Sequence, residues 1–83
     1  MDRQALQRFL NNEGIDPNSY SLDEHRGGMY VEMYVLDRRG SNWVVYYSER
    51  GLESGIQQFD REDSACRHLM DLVLRDPTTR IER

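Results

Sequence analysis

The chain has 83 residues, of which 31% are charged and 37% hydrophobic, with 15 acidic side chains against 11 basic ones for a formal net charge of −4. A chain of this length forms one small domain that buries roughly 60 to 65% of its unfolded surface, which leaves little room for a core and a deep pocket together. The acidic balance argues against nucleic-acid phosphate or an anionic lipid surface as a partner and favours basic partners.

The opening residues, Met1-Asp2-Arg3-Gln4, lack the apolar run of a secretory signal. The longest apolar or aromatic run, Trp43 to Tyr47, is far short of a membrane span, so a cytoplasmic location is expected. Asp2 is placed to cap a first helix whose Leu6, Phe9 and Leu10 recur at the spacings of one helical face. Gly14 stops that helix. As the left-handed residue of a Schellman motif it would set Ile15 back against Leu10. Asp16-Pro17-Asn18-Ser19 then reads as a turn.

From Tyr20 the apolar period changes to two. Tyr20-Ser21-Leu22 reads as a short strand, residues 23–28 as a polar loop, and residues 29–37 as a strand with Met29, Val31, Met33 and Val35 on one face. Residues 38–42 form a hairpin loop by length and by Gly40. Residues 43–48 make the next strand, Glu49-Arg50-Gly51 the next turn, and residues 52–59 a weaker strand with a glycine inside it. Asp60 is expected to cap the second helix, with Asp63 completing a short capping box and Glu62 adding negative charge to the helix start. Ala65, Leu69, Leu72 and Val73 form its apolar stripe, flanked by Cys66 and Met70. Arg75 complements the dipole at its end, Pro77 prevents continuation, and residues 77–83 are expected to form a loose tail.

The order is helix, three or four antiparallel strands, helix. It predicts a single α+β domain over residues 1–83, a two-layer sandwich with both helices on one sheet face. If Met33 and Val35 point toward the helices, then Tyr30, Glu32, Tyr34 and Leu36 point away. Placing Trp43, Val45 and Tyr47 inward leaves Val44, Tyr46 and Ser48 outward, although this strand is apolar on both faces and does not itself decide which is buried. The outward set is apolar enough to suggest a contact surface. Three readings of it stay open: ordinary strand formers partly covered by loops, a homodimer interface, or a surface for another protein. Glu49 and Arg50 at a hairpin tip, with Asp23 and Glu24 in the polar loop, are the charged candidates that would accompany it.

Chemistry is absent from the spacings. Asp23-Glu24-His25 are adjacent residues that diverge, with no second histidine nearby, so they make a poor metal site. Cys66 and His68 are two apart on a helix and do not face each other, and Cys66 reads as a small core residue. Arg26-Gly27-Gly28 precedes a strand rather than a helix, unlike a phosphate loop. A non-enzymatic protein without cofactor or metal is expected. The same element order occurs in double-stranded RNA-binding domains, but those clamp phosphates with basic residues at the second helix's start, where this chain has Asp60-Arg61-Glu62-Asp63.

Four stretches carry a resemblance: Ile15-Asp16-Pro17-Asn18-Ser19-Tyr20-Ser21-Leu22, Trp43-x-Val45-Tyr46-Tyr47-Ser48-Glu49-Arg50-Gly51, Phe59-Asp60-x-Glu62-Asp63-x-Ala65-Cys66-x-His68-Leu69, and Leu74-Arg75-Asp76-Pro77-Thr78-Thr79-Arg80. Together they resemble very small bacterial cytoplasmic proteins that are similar to the immunity partners of polymorphic toxins, including those of contact-dependent growth inhibition. The resemblance implies neutralisation by binding the C-terminal domain of a cognate toxin, itself often a basic nuclease. On the surface reading, Tyr30, Tyr34 and Tyr46 would be anchors and Glu32 and Glu49 polar contacts, with Arg50 beside them and Asp23 and Glu24 secondary. The alternative is a homodimeric adaptor or regulator using the same tyrosine face.

Overall fold

The computed structural model describes residues 1–22 and 32–81. Its first helix, α1 (Arg3–Asn12), begins where Asp2 accepts a hydrogen bond from the Ala5 amide at 2.8 Å. It ends in the expected Schellman motif. Gly14 takes φ 75°, its amide donates to the Asn11 carbonyl, and the Ile15 amide reaches back to the Leu10 carbonyl at 3.0 Å. Ile15 and Leu10 are both buried in the same core cluster.

A 3₁₀ turn (Pro17–Ser19) leads into β1 (Tyr20–Ser21), followed by β2 (Met33–Arg39), β3 (Asn42–Glu49) and β4 (Leu52–Phe59). They form one sheet in the order β1-β2-β3-β4. β1 runs parallel to β2, with Tyr20 opposite Tyr34, and the other pairings are antiparallel. The expected α+β sandwich is therefore present with a mostly antiparallel sheet. Of the predicted strand at 29–37, residues 29–31 lie outside the described residues, and pairing continues to Arg39 because only Gly40 and Ser41 are needed for the turn. Gly40 has φ 64°, which suits the first position of a type II′ turn.

The second hairpin turns on Arg50 and Gly51, with φ values of 52° and 78°. Two positive values make a type I′ turn, where arginine bears a left-handed cost that asparagine largely avoids. Arg50→Asn is therefore expected to stabilise the fold by about 0.5 to 1 kcal/mol, read as a higher denaturant midpoint at unchanged m-value. In β4, Gly55 and Ile56 together oppose Tyr46, and Gly55 has φ 64°, so the strand carries a glycine bulge.

The last helix, α2 (Glu62–Arg75), corrects one expectation. Its N-cap is Arg61 in extended conformation with no side-chain cap, so Asp60 does not cap it. The carboxylates of its first turn bind other groups instead: Glu62 accepts from the Arg3 amide at 3.0 Å, and Asp63 pairs with the amino group of Met1 and with Arg67. Leu6 and Leu10 of α1 and Ala65, Cys66, Leu69 and Val73 of α2 pack with Leu36, Trp43 and Val45 on one sheet face. Burial raises the Cys66 thiol to about 11, in keeping with an inert core residue.

The loose tail is also corrected as far as the structure is described. A 3₁₀ turn (Pro77–Thr79) folds the chain back onto the end of α1. The Asp16 amide donates to the Thr79 carbonyl at 2.7 Å, the Ile81 amide donates to Gly14, and Ile15 bridges Arg80. The Thr79 hydroxyl is buried and lies 2.8 Å from the carbonyls of both Val73 and Asp76. Among the described residues, no helix is long and apolar enough to cross a membrane.

Candidate functional site

The outward surface drawn from the sequence divides between two faces of the sheet. Leu36 belongs to the helix-side core and Tyr34 packs against it, whereas Met33 and Val35 join Val44 and Tyr46 on the opposite face. The faces assigned to β2 are thus reversed, while those of Trp43, Val44, Val45 and Tyr46 in β3 stand. Alternation in β2 is apolar in both phases, so periodicity alone could not choose between them. What distinguishes them is tertiary: Tyr34 donates its hydroxyl proton to Asp76, just beyond α2, at 2.9 Å.

The second face does not present Tyr46 as an exposed anchor. Tyr46 is only 3% exposed, and Met33, Val35 and Val44 beside it are buried. Arg39 lies across the Tyr46 ring, 5.1 Å from its centroid, and its guanidinium holds both oxygens of Glu53 in a fork. The guanidinium thus stacks over the ring while its charge is matched by Glu53. Glu49 and Arg50 are exposed at the hairpin tip. Tyr30, Asp23 and Glu24 lie outside the described residues.

Of the sequence-derived candidates, Tyr34 and Glu32 do come together, in a cleft of about 280 Å³ on the helix side of the sheet. Tyr34 and Tyr47 face each other across β2 and β3 with ring centroids 4.9 Å apart and planes at 58°. This tilted pair forms the cleft's aromatic wall. Tyr47 donates to Glu32 at 3.2 Å, as Tyr34 does to Asp76. The opposite wall comes from two turns of one design, Asp16-Pro17-Asn18-Ser19 and Asp76-Pro77-Thr78-Thr79. In each, the aspartate accepts from the amide two residues on, at 2.9 Å from Asn18 and 3.0 Å from Thr78. In each, the fourth residue returns its hydroxyl to the aspartate carbonyl.

These contacts fix the charges. Hydrogen bonds from the Thr78 hydroxyl and amide, then from Tyr34, hold the Asp76 carboxyl below its ordinary value. Burial and the bond to Asp76 push Tyr34 up to about 12, and burial followed by Glu32 raises Tyr47. At neutral pH both phenols are protonated and Asp76 is ionised; Asp16 and Glu32 are the other acidic side chains of the lining, and none of the described lining residues is basic. A cleft with carboxylates on one side and aromatic faces on the other is suited to a guanidinium or ammonium group.

Tyr47 lies on the helix side, as its place in the alternation of β3 predicts, but the sequence reading assigns neither it nor Asp16 and Asp76 a site role. The repeated Asp-Pro-polar-hydroxyl pattern was the available signal.

The lowered carboxyls carry a pH dependence. Asp63 is drawn down to about 2 by the Met1 amino group and then Arg67, and Asp76 is lowered by Thr78. Groups depressed in the folded state stabilise it fully above the unfolded value near 4 and lose that contribution as pH falls through the folded value. Stability is expected to decline between about pH 4 and pH 2. Denaturant titrations across that range should show a shallower decline for Asp76→Asn.

Comparison of the chain with protein-family models, with curated proteins and with solved structures finds no match.

Proposed function

We propose that this chain is a non-enzymatic immunity protein that acts in the cytoplasm by binding and neutralising a cognate toxin domain, and that the Tyr34–Tyr47 cleft receives a basic side chain of that toxin. The observation that carries the reading is the cleft itself: aromatic on one wall, with Asp16, Glu32 and Asp76 around it and no basic residue among its described lining. The net charge of −4 favours rapid encounter with a basic partner, and the sequence resemblance to immunity proteins supplies the partner class. Binding needs no bond-making step, so inhibition follows from occupancy.

Glu49 and Arg50 extend the surface at the hairpin tip. A left-handed arginine is a strained choice for a turn, and strain of this kind gathers at sites selected for something other than stability.

The test is co-expression with the C-terminal domain of a large secreted protein encoded beside this gene. A complex that co-purifies and restores growth to cells producing that domain is the expected result. Folded protein that gives neither complex nor rescue would overturn the reading.

A further inference from the structure

Among the described residues, β4 is an open strand. It lies at the edge of the sheet beyond β3, and its residues from Leu52 to Gln58 are exposed. Leu52 is 72% exposed and Ile56 49%. An uncovered edge of this length is a template for a further strand, and natural proteins usually blunt such edges with charge or proline. Here the only charged side chain in β4 is Glu53, which Arg39 already neutralises from within the sheet.

The bulge determines what such a strand can be. Phe59 and Gln57 lie opposite Trp43 and Val45, on the helix side, and Gln58 lies opposite Val44, on the other side. Past the bulge, Ser54 and Leu52 return to the helix side and Glu53 to the other. Because Gly55 and Ile56 share one position, residues on the two sides of the bulge share a face when their numbers differ by an odd amount. Antiparallel partners across an edge must share a face. A second β4 meets that condition throughout its length in one register: Leu52 against Phe59, Glu53 against Gln58, Ser54 against Gln57, and Gly55 against Ile56. Leu52 then gains an aromatic neighbour, and no like charges are opposed. The two Ile56 side chains lie beside one another over the glycines, and the space over Gly55 where a Cβ would stand is open to 4 Å.

We infer that β4 is a self-recognition edge, through which two copies of this chain join their sheets in antiparallel continuation about a two-fold axis at Gly55 and Ile56. The contact is isologous, as most homodimer contacts are, and it leaves the Tyr34–Tyr47 cleft free, since no β4 residue lines that cleft. An interface of one strand edge is small, so the dimer is reversible.

Sedimentation of the full chain over a concentration series is expected to show a monomer–dimer equilibrium. Ile56→Lys, with an unchanged far-ultraviolet spectrum, is expected to weaken it at least about tenfold. A Ser54→Cys, Gln57→Cys double variant is expected to form a disulfide-linked dimer on mild oxidation, because the register sets these positions opposite one another. Cys66 is buried and does not compete. A monomeric mass at every soluble concentration would overturn the inference. So would a dimer that neither responds to Ile56→Lys nor cross-links in the double variant. None of these readouts requires a toxin, so their failure leaves the immunity reading standing, and the reverse holds as well.

Discussion

Ending the chain after Asp76 should destabilise the domain by at least about 3 kcal/mol, because it withdraws the partners of several ordered groups at once. The Asp16 amide loses the Thr79 carbonyl, the Gly14 carbonyl loses the Ile81 amide, and Val73 loses the buried Thr79 hydroxyl. Each buried group left without a partner costs about 1 to 3 kcal/mol, against a total stability of roughly 4 to 12 for a domain of this size. Point variants separate the contributions. Thr79→Ser keeps the hydroxyl and should lose well under half of what Thr79→Val loses, when both are measured by urea denaturation. A larger loss for Thr79→Ser than for Thr79→Val would show that methyl packing, rather than the hydrogen bonds to Val73 and Asp76, holds the segment down.

If the cleft receives a basic side chain of a toxin as proposed, Glu32→Arg is expected to weaken that binding by about 3 kcal/mol, roughly 100-fold, without unfolding the protein. Glu32 is exposed and its described contact is the hydrogen bond from Tyr47, so the fold has little at stake in it. In the cleft, the change replaces an attractive charge with a repulsive one where the proposal seats a cation. The loss should be salt-sensitive and should combine a slower association with a faster dissociation, as surface plasmon resonance with the cognate domain would resolve. A Tyr47→Phe variant, which keeps the ring and loses the hydroxyl, should retain most of the affinity if the aromatic face does the binding. An unchanged dissociation constant for Glu32→Arg would remove the cleft from the interface.

The local features of this fold were legible in the residues. Gly14 followed by Ile15 announces a Schellman motif because both requirements, a left-handed residue and an apolar contact one position later, are satisfied within six residues. The stripe of α2 and the apolar alternation of β3 were equally direct. The cap at Asp60 failed because competing carboxylates at Glu62 and Asp63 find distant cationic and amide partners in Arg3 and Met1, which no local pattern reveals. The face of β2 failed for a similar reason. Met33 and Val35 are as apolar as Tyr34 and Leu36, and what goes with the observed face, the packing of Leu36 under the helices and the bond of Tyr34 to Asp76 just beyond α2, is tertiary. The cleft was half visible: Glu32 and Tyr34 were named as candidates, yet their neighbours Asp16 and Asp76 come from turns separated by most of the chain. Tyr46 read as exposed because the spacing of residues does not show a charged side chain from a neighbouring strand lying over a ring.

The clasp between the two Asp-Pro turns also has a kinetic meaning. Because the Asp16 amide donates to Thr79 and the Ile81 amide to Gly14, the end of the first helix and the segment after the last helix cannot open separately. Small domains commonly fray at such places, and their amide protons exchange with solvent through local openings that leave the core intact. The expected result is that the two clasp amides, of Asp16 and Ile81, exchange in step with those of Leu69 and Val73 in α2 and lose protection together as denaturant is raised.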